Sequence, residues 1–194
     1  MSPRTSNVLN KNGEKGEALL TGYLTKLGYE CFSAPPKRFP DWDIKAITPE
    51  GRTVLVEVKL DVTGMFLKNK KGFNFYIEMF NTKQFEPSGI FKTKSDKYAY
   101  FFLMPNNTYR LYVFKTRELR NFLCENVDIP TTGNSVEGNA AGWLLPNTSL
   151  PKINHTLIKL DREGEYVDSF DYYISNDYSS WCPKPKVEEP LLKL

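Results

Sequence analysis

Two stretches decide how this 194-residue chain reads: Asp41-Trp42-Asp43-Ile44-Lys45-Ala46 and, after a turn at Pro49-Glu50-Gly51, Thr53-Val54-Leu55-Val56-Glu57-Val58-Lys59-Leu60. Both alternate with period two, the signature of strands that turn successive side chains to opposite faces. Val54, Val56, Val58 and Leu60 fill one face of the second strand, while Glu57 and Lys59 share the other. In the first strand Trp42, Ile44 and Ala46 oppose Asp41 and Asp43. Joined as a hairpin, with strands about 4.8 Å apart, they gather two or three carboxylates and one lysine in a small space.

Carboxylates so close repel one another, and burial sharpens the repulsion. A divalent cation relieves it. An all-oxygen donor set without a Cys/His cluster selects Mg²⁺ or Mn²⁺ over zinc. A neighbouring lysine can activate water or stabilise the charge that develops on a phosphate. This is equipment for hydrolysing a phosphodiester.

Upstream, Leu20, Tyr23, Leu24 and Leu27 form the i, i+3, i+4, i+7 stripe of a helix packed on a core. The predicted helix is capped by Asn12 and ends at Gly28, after a loose arm at residues 1–11. Glu17 lies one turn before Leu20 on the inward face. A carboxylate there is costly without a partner, and a metal ligand's role explains it; Glu14 sits on a more polar face.

Downstream, Phe73 to Phe80 reads as a third strand and Gln84 to Asp96 as a loop or short helix. Lys97 to Met104 and Tyr109 to Lys115 read as a second hairpin. Thr116 starts a helix bearing Leu119, Phe122 and Leu123. Residues 128–151, rich in Gly, Asn, Pro and Ser, read mostly as a long loop, Thr156 to Asp161 as an edge strand, and residues 183–194 as a mobile C-terminal tail.

Net charge is +3. Residues 59–97, directly after the Glu57/Lys59 strand, carry net +4, where a nucleic-acid backbone would need it. Candidate phosphate contacts are Lys68, Lys70, Lys71, Lys92, Lys94 and Lys97, with the backbone at Ser88-Gly89 a further one. Glu78 faces away from Ile77; it either approaches the same site or is an edge-strand charge. The three cysteines and one histidine suggest neither a disulfide framework nor a hydrolase triad. With no apolar run long enough for a membrane span and no signal-peptide core, a cytoplasmic setting is the expectation.

Pro40-Asp41-Trp42-Asp43-Ile44 and Leu55-Val56-Glu57-Val58-Lys59 resemble the two half-motifs of the PD-(D/E)XK nuclease superfamily. Glu17 resembles the helix glutamate of its resolvase-like members. Phe75-Tyr76-Ile77-Glu78, Pro87-Ser88-Gly89-Ile90 and Lys94-Ser95-Asp96-Lys97-Tyr98 resemble small phage-type members. The likeness covers roughly residues 13–115. It implies an α/β, restriction-endonuclease-like three-layer fold, a central mixed sheet flanked by helices. On that basis residues 1–182 form one nuclease domain, with its motif-bearing core at about 13–126. It further implies Mg²⁺-dependent cleavage of DNA, more rarely RNA, at Asp43, Glu57, Lys59 and Glu17. Asp41 is the alternative to Asp43 as ligand. Asp43 is favoured because it directly precedes the strand residue Ile44. Two copies could act together as a homodimer. The rival function is a non-catalytic nucleic-acid-binding or interaction module on the same fold.

Overall fold

The computed structural model describes residues 3–35, 41–62, 72–126, 128–132, 140–172 and 184–185. The first helix, α1 (Pro3–Lys26), is followed by strands β1 (Glu30–Ser33), β2 (Ile44–Ile47) and β3 (Thr53–Asp61). Next come β4 (Asn74–Asn81), β5 (Glu86–Pro87), a 3-10 turn at Gly89–Phe91, β6 (Lys97–Leu103), β7 (Tyr109–Lys115) and helix α2 (Thr116–Glu125). The remainder is β8 (Thr131–Thr132), β9 (Ala140–Pro146), a 3-10 turn at Asn147–Lys152, β10 (His155–Leu160), β11 (Tyr166–Tyr172) and β12 (Lys184–Pro185).

These strands build a large mixed sheet in the order β1-β2-β3-β6-β7-β10-β11-β12 and a smaller antiparallel one, β5-β4-β9-β8. The predicted hairpins are both present: β2 pairs antiparallel with β3, and β6 with β7. Among the described residues one parallel pairing occurs, joining β3 to β6, with Glu57 beside Tyr98 and Lys59 beside Tyr100. A parallel neighbour needs a long crossover, and residues 62–96 supply it, carrying β4 and β5 to the second sheet.

The alternation along β3 separates two cores. Val54, Val56 and Val58 join Ile44, Ala46, Ala99, Phe101, Leu111 and Ile158 under Leu20, Tyr23 and Leu24 of α1. The opposite face carries Tyr98, Tyr100, Phe102, Tyr112 and Phe114, which pack against Phe75 and Ile77 of β4, Leu145 of β9 and Leu119 and Leu123 of α2. Phe75, fully buried, sits edge-on to Tyr100, Phe102, Tyr112 and Phe114 at 5.0–5.9 Å, the geometry aromatic quadrupoles prefer. The fold is thus α/β with a large mixed sheet, covered by a helix on one face. On the other face the cover is mainly the second sheet, with α2 beside it, where a helical layer was predicted.

Several other expectations are corrected. Helix α1 starts at Pro3, so Asn12 lies inside it and residues 3–11 are no loose arm. Proline suits a helix's first turn, and the intrinsic cost of Asn12 and Gly13 does not stop propagation. The predicted end holds: Gly28 takes φ +84° just past the last turn, the left-handed stop that glycine tolerates. The Phe73–Phe80 strand exists as β4 but belongs to the second sheet. Within 128–151, Ala140–Pro146 is a strand, a short apolar run that its Gly- and Asn-rich flanks obscured. Strand β10 lies between β7 and β11 and is interior, not an edge. In the C-terminal tail, Lys184–Pro185 pair with Phe170 and Asp171. The lysines at 68, 70 and 71 lie outside the described residues. Among the described residues no helix is long and apolar enough to cross a membrane.

Helix α1 approaches β3 through Gly16, where an added Cβ would stand 3.2 Å from Leu60 Cβ and 3.3 Å from Val58 Cγ1. At Gly22 of the same helix nothing lies within 4 Å. In urea titrations, Gly16→Leu should therefore lower stability by about 1–3 kcal/mol through overpacking. Gly22→Ala should raise it by about 0.5–1 kcal/mol through helix propensity. A neutral Gly16→Leu would mean that the helix does not pack this closely.

Candidate functional site

The site forms where β2 diverges from β3. The ladder runs through Ile44↔Val56, and one further bond, Asp43 N–H to the Val56 carbonyl at 2.9 Å, extends it. The next donor on β3, Val58 N–H, meets a side chain instead: it donates to Asp43 Oδ2 at 2.7 Å. Asp43 is therefore positioned by its own backbone, by β3 and by Ala34 N–H, which donates to its carbonyl at 2.8 Å.

On β3 the predicted neighbours meet. Lys59 Nζ donates to Glu57 Oε1 at 2.6 Å. The Glu57 side chain is 10% exposed and that of Lys59 36%, so the pair lies at the rim of the interior with the lysine toward solvent. Beside it on β6 is Tyr98, fully buried, with a hydroxyl that makes no hydrogen bond among the described residues. The aromatic alternation of β6 contains the signal for Tyr98, but only the parallel register beside β3 gives it meaning.

The charges explain one another. Burial lifts the Asp43 carboxyl above its usual range, Lys59 pulls it down and Glu57 pushes it up again, leaving it raised. Burial opposes the charge on Lys59, but Glu57 and Asp43 outweigh it and hold the ammonium well above the ordinary lysine range. Glu17 on α1 is half-buried, and among the described residues its carboxylate makes no hydrogen bond or ion pair. Burial first, then Asp43, Glu14 and Glu57, raise its pKa against the pull of Lys59. The helix that packs through Gly16 thus places Glu17 within the field of the Asp43, Glu57 and Lys59 group.

Asp41 is turned elsewhere. Its carboxylate pairs with Lys94 Nζ at 2.8 Å, and its carbonyl accepts from Lys94 N–H at 2.8 Å and Thr93 Oγ1 at 3.0 Å. It anchors the 93–95 segment beside the site. Lys92 pairs with Glu86 at 2.9 Å. Lys97, next to Tyr98 along β6, belongs on the α1 face of the sheet, opposite Glu57 and Lys59, and burial lowers its pKa. Ser88 is buried, and its N–H is used by the Met79 carbonyl at 3.0 Å, which takes that donor out of the predicted phosphate cradle. Gly89 (φ +50°) packs where a Cβ would fall 2.3 Å from the Glu78 carbonyl oxygen. Trp143 and His155 are core residues.

No three His, Cys, Asp or Glu side chains among the described residues stand at metal-binding separation. The Glu57 carboxylate is committed to Lys59 and Asp43 Oδ2 to Val58 N–H. The donor set nevertheless suits a hard divalent cation in kind. All donors are oxygens, and the raised proton affinity of Asp43 and Glu17 is the strain that a bound cation relieves.

That strain has a measurable sign. The native state binds the Glu17 proton more tightly than the unfolded chain does, so its contribution weakens the fold as pH rises through the carboxylate range. In the presence of EDTA, Glu17→Gln should melt about 1–3 °C above the parent at pH 7.5. The gap should close near pH 4, where Glu17 is protonated in both states. An equal or lower melting temperature for the variant at pH 7.5 would show that Glu17 carries no such strain.

Comparison of the chain with protein-family models, with curated proteins and with solved structures finds no match to any of them.

Proposed function

We propose that this protein is a metal-dependent nuclease of the PD-(D/E)XK type, with a restriction-endonuclease-like core, that hydrolyses phosphodiester bonds in DNA. The observation that carries the reading is the pairing across β2 and β3: Asp43 clasped to Val58 N–H at 2.7 Å beside Glu57 and Lys59 joined at 2.6 Å. It coincides with the two half-motifs. Glu17 on the overlying helix supports it further.

In this reading Asp43 and Glu57 would hold Mg²⁺ or Mn²⁺, with Glu17 near enough to contribute charge. The ion would supply Lewis-acid stabilisation of the phosphate oxygens and help to generate the attacking nucleophile. Two roles are open to Lys59, base or cation. Glu57 and Asp43 raise its proton affinity when no cation shares them, which favours the cation's role, stabilising negative charge that develops on the phosphoryl group. Asp41 is a positioning residue, which through Lys94 and Thr93 holds the 93–95 segment against the acidic end of β2.

A non-catalytic nucleic-acid-binding module is the second reading, favoured by the Glu57–Lys59 ion pair, which neutralises a would-be ligand internally. Nicking of supercoiled plasmid separates the two. The nuclease should nick with Mn²⁺ and stop with EDTA. Asp43→Asn and Glu57→Gln should each abolish nicking while retaining the parent's circular-dichroism spectrum. Lys59→Ala should slow single-turnover cleavage at saturating DNA by about 10²–10³-fold, with a smaller change in affinity. DNA binding with no metal-stimulated cleavage by the parent would establish the binding module instead. Wild-type turnover in both carboxylate variants would overturn the site.

A further inference from the structure

The turn between β4 and β5 has an unusual composition for its shape. Asn81 Oδ1 accepts from Lys83 N–H and Gln84 N–H, both at 3.0 Å, and Asn81 Nδ2 donates to Gln84 Oε1 at 2.7 Å. This closed turn delivers Phe85 at φ +53° with 83% of its surface exposed. Asn or Gly fits such a backbone at less cost, and a bulky residue there is an outlier. The phenylalanine gains nothing from burial in exchange. Backbone strain around a solvent-facing ring is the pattern of a pre-set contact.

A chain of contacts connects the turn to the acidic site. Glu86 next to Phe85 pairs with Lys92 at 2.9 Å. The segment between them is held by Ser88 N–H to the Met79 carbonyl at 3.0 Å, and by Arg120, which donates to the carbonyls of Ile90 at 2.9 Å and Thr93 at 3.1 Å. Lys94 then bonds Asp41 through both backbone and side chain. Along this strut stand Lys83, which has no ion-pair partner among the described residues, Lys92, Lys94 and a second exposed ring, Phe91, which leans on Trp143 at 5.6 Å. Two exposed rings flanked by Lys83 on one side and by Lys92 and Lys94, paired to Glu86 and Asp41, on the other suit a polynucleotide strand, whose bases stack on π faces and whose phosphates attract cations and can exchange for such carboxylate partners. An apolar protein partner or a lipid surface would call for contiguous apolar residues, not two separate rings with charged residues on either side.

We infer that Phe85 stacks on an unpaired nucleobase of the strand held at the acidic site, so that the preferred substrates contain single-stranded or unstacked bases at an end, fork or junction. This rests on the nuclease reading and narrows its substrate class. A base inside a continuous duplex is already stacked on both faces and offers Phe85 no surface.

The test uses the full chain with Ca²⁺ in place of Mg²⁺, and two oligonucleotide probes, a fork carrying 2-aminopurine in its single-stranded arm and a blunt duplex of the same length. Phe85→Ala should weaken fork binding by about 5- to 150-fold, the span of one base–aromatic stack, and change duplex binding by less than about twofold. Phe85→Trp should retain fork affinity and Phe85→Leu should not, because stacking needs a ring and not merely apolar volume. The 2-aminopurine emission should fall on binding the parent and stay high with Phe85→Ala. Melting temperatures confirm that the variants fold, since the ring contributes no core contact. Equal fork affinity for parent and Phe85→Ala, or full rescue by Leu, overturns the stacking contact. A parent that nicks plasmid yet shows no dependence on Phe85 overturns the contact alone. A parent that neither binds nor cuts DNA overturns the nuclease reading as well.

Discussion

Everything at the site depends on one exchange of hydrogen bonds at the end of a strand pair. Strand β2 stops pairing with β3 after Asp43 N–H meets Val56, and the next donor, Val58 N–H, is satisfied by the Asp43 carboxylate. An unsatisfied N–H at a buried edge is costly, so the side chain is held there by the same requirement that holds the sheet together. The clasp also brings a carboxylate beside Glu57 and Lys59 without a loop of its own. The site is fixed to strand backbone on one side and to a closely packed helix on the other.

The two faces of β3 divide the labour of the fold. Valines turned toward α1 bind the helix, and the Gly16 contact brings that helix near enough for Glu17 to feel Asp43. Glu57 and Lys59 turn toward the aromatic face, where Tyr98 lies beside them on β6 and the second sheet closes the layer. Burial on this side raises the cost of every uncompensated charge, and the ion pair between Glu57 and Lys59 is the local answer. The raised proton affinity of Asp43 and Glu17 is what remains uncompensated, and it links the stability of the protein to pH in the direction opposite to that of a salt-bridged carboxylate.

The crossover from β3 to β6 does more than satisfy topology. In passing to the second sheet it forms the β4–β5 turn and then returns through the 3-10 turn to Lys94 and Asp41. A parallel strand pair requires such an excursion, and here the excursion ties exposed Phe85 and several lysines to the acidic end of the hairpin.

What the sequence by itself determined is what local period and backbone chemistry determine. The alternations at 41–46 and 53–60 identified the hairpin, its two faces and the company of Asp43, Glu57 and Lys59. The stripe Leu20, Tyr23, Leu24, Leu27 and the stop at Gly28 identified α1 and its inward face. Asp43 and Asp41 share a parity, so alternation could not rank them; the tertiary structure separates them, because Val58 N–H meets one and Lys94 the other. Lys97 looked equivalent to Lys92 and Lys94 in the chain, yet its position next to Tyr98 in β6 assigns it to the opposite face. Strand β4 was legible as a strand, but its sheet was not, since membership depends on a partner, β9, more than 50 residues away. Strand β9 itself was hidden in a Gly- and Asn-rich stretch, and becomes a strand because Trp143 and Leu145 find a buried face to fill. Period two describes how a strand divides its side chains; which neighbour it takes, and which charges then meet, is decided by long-range pairing.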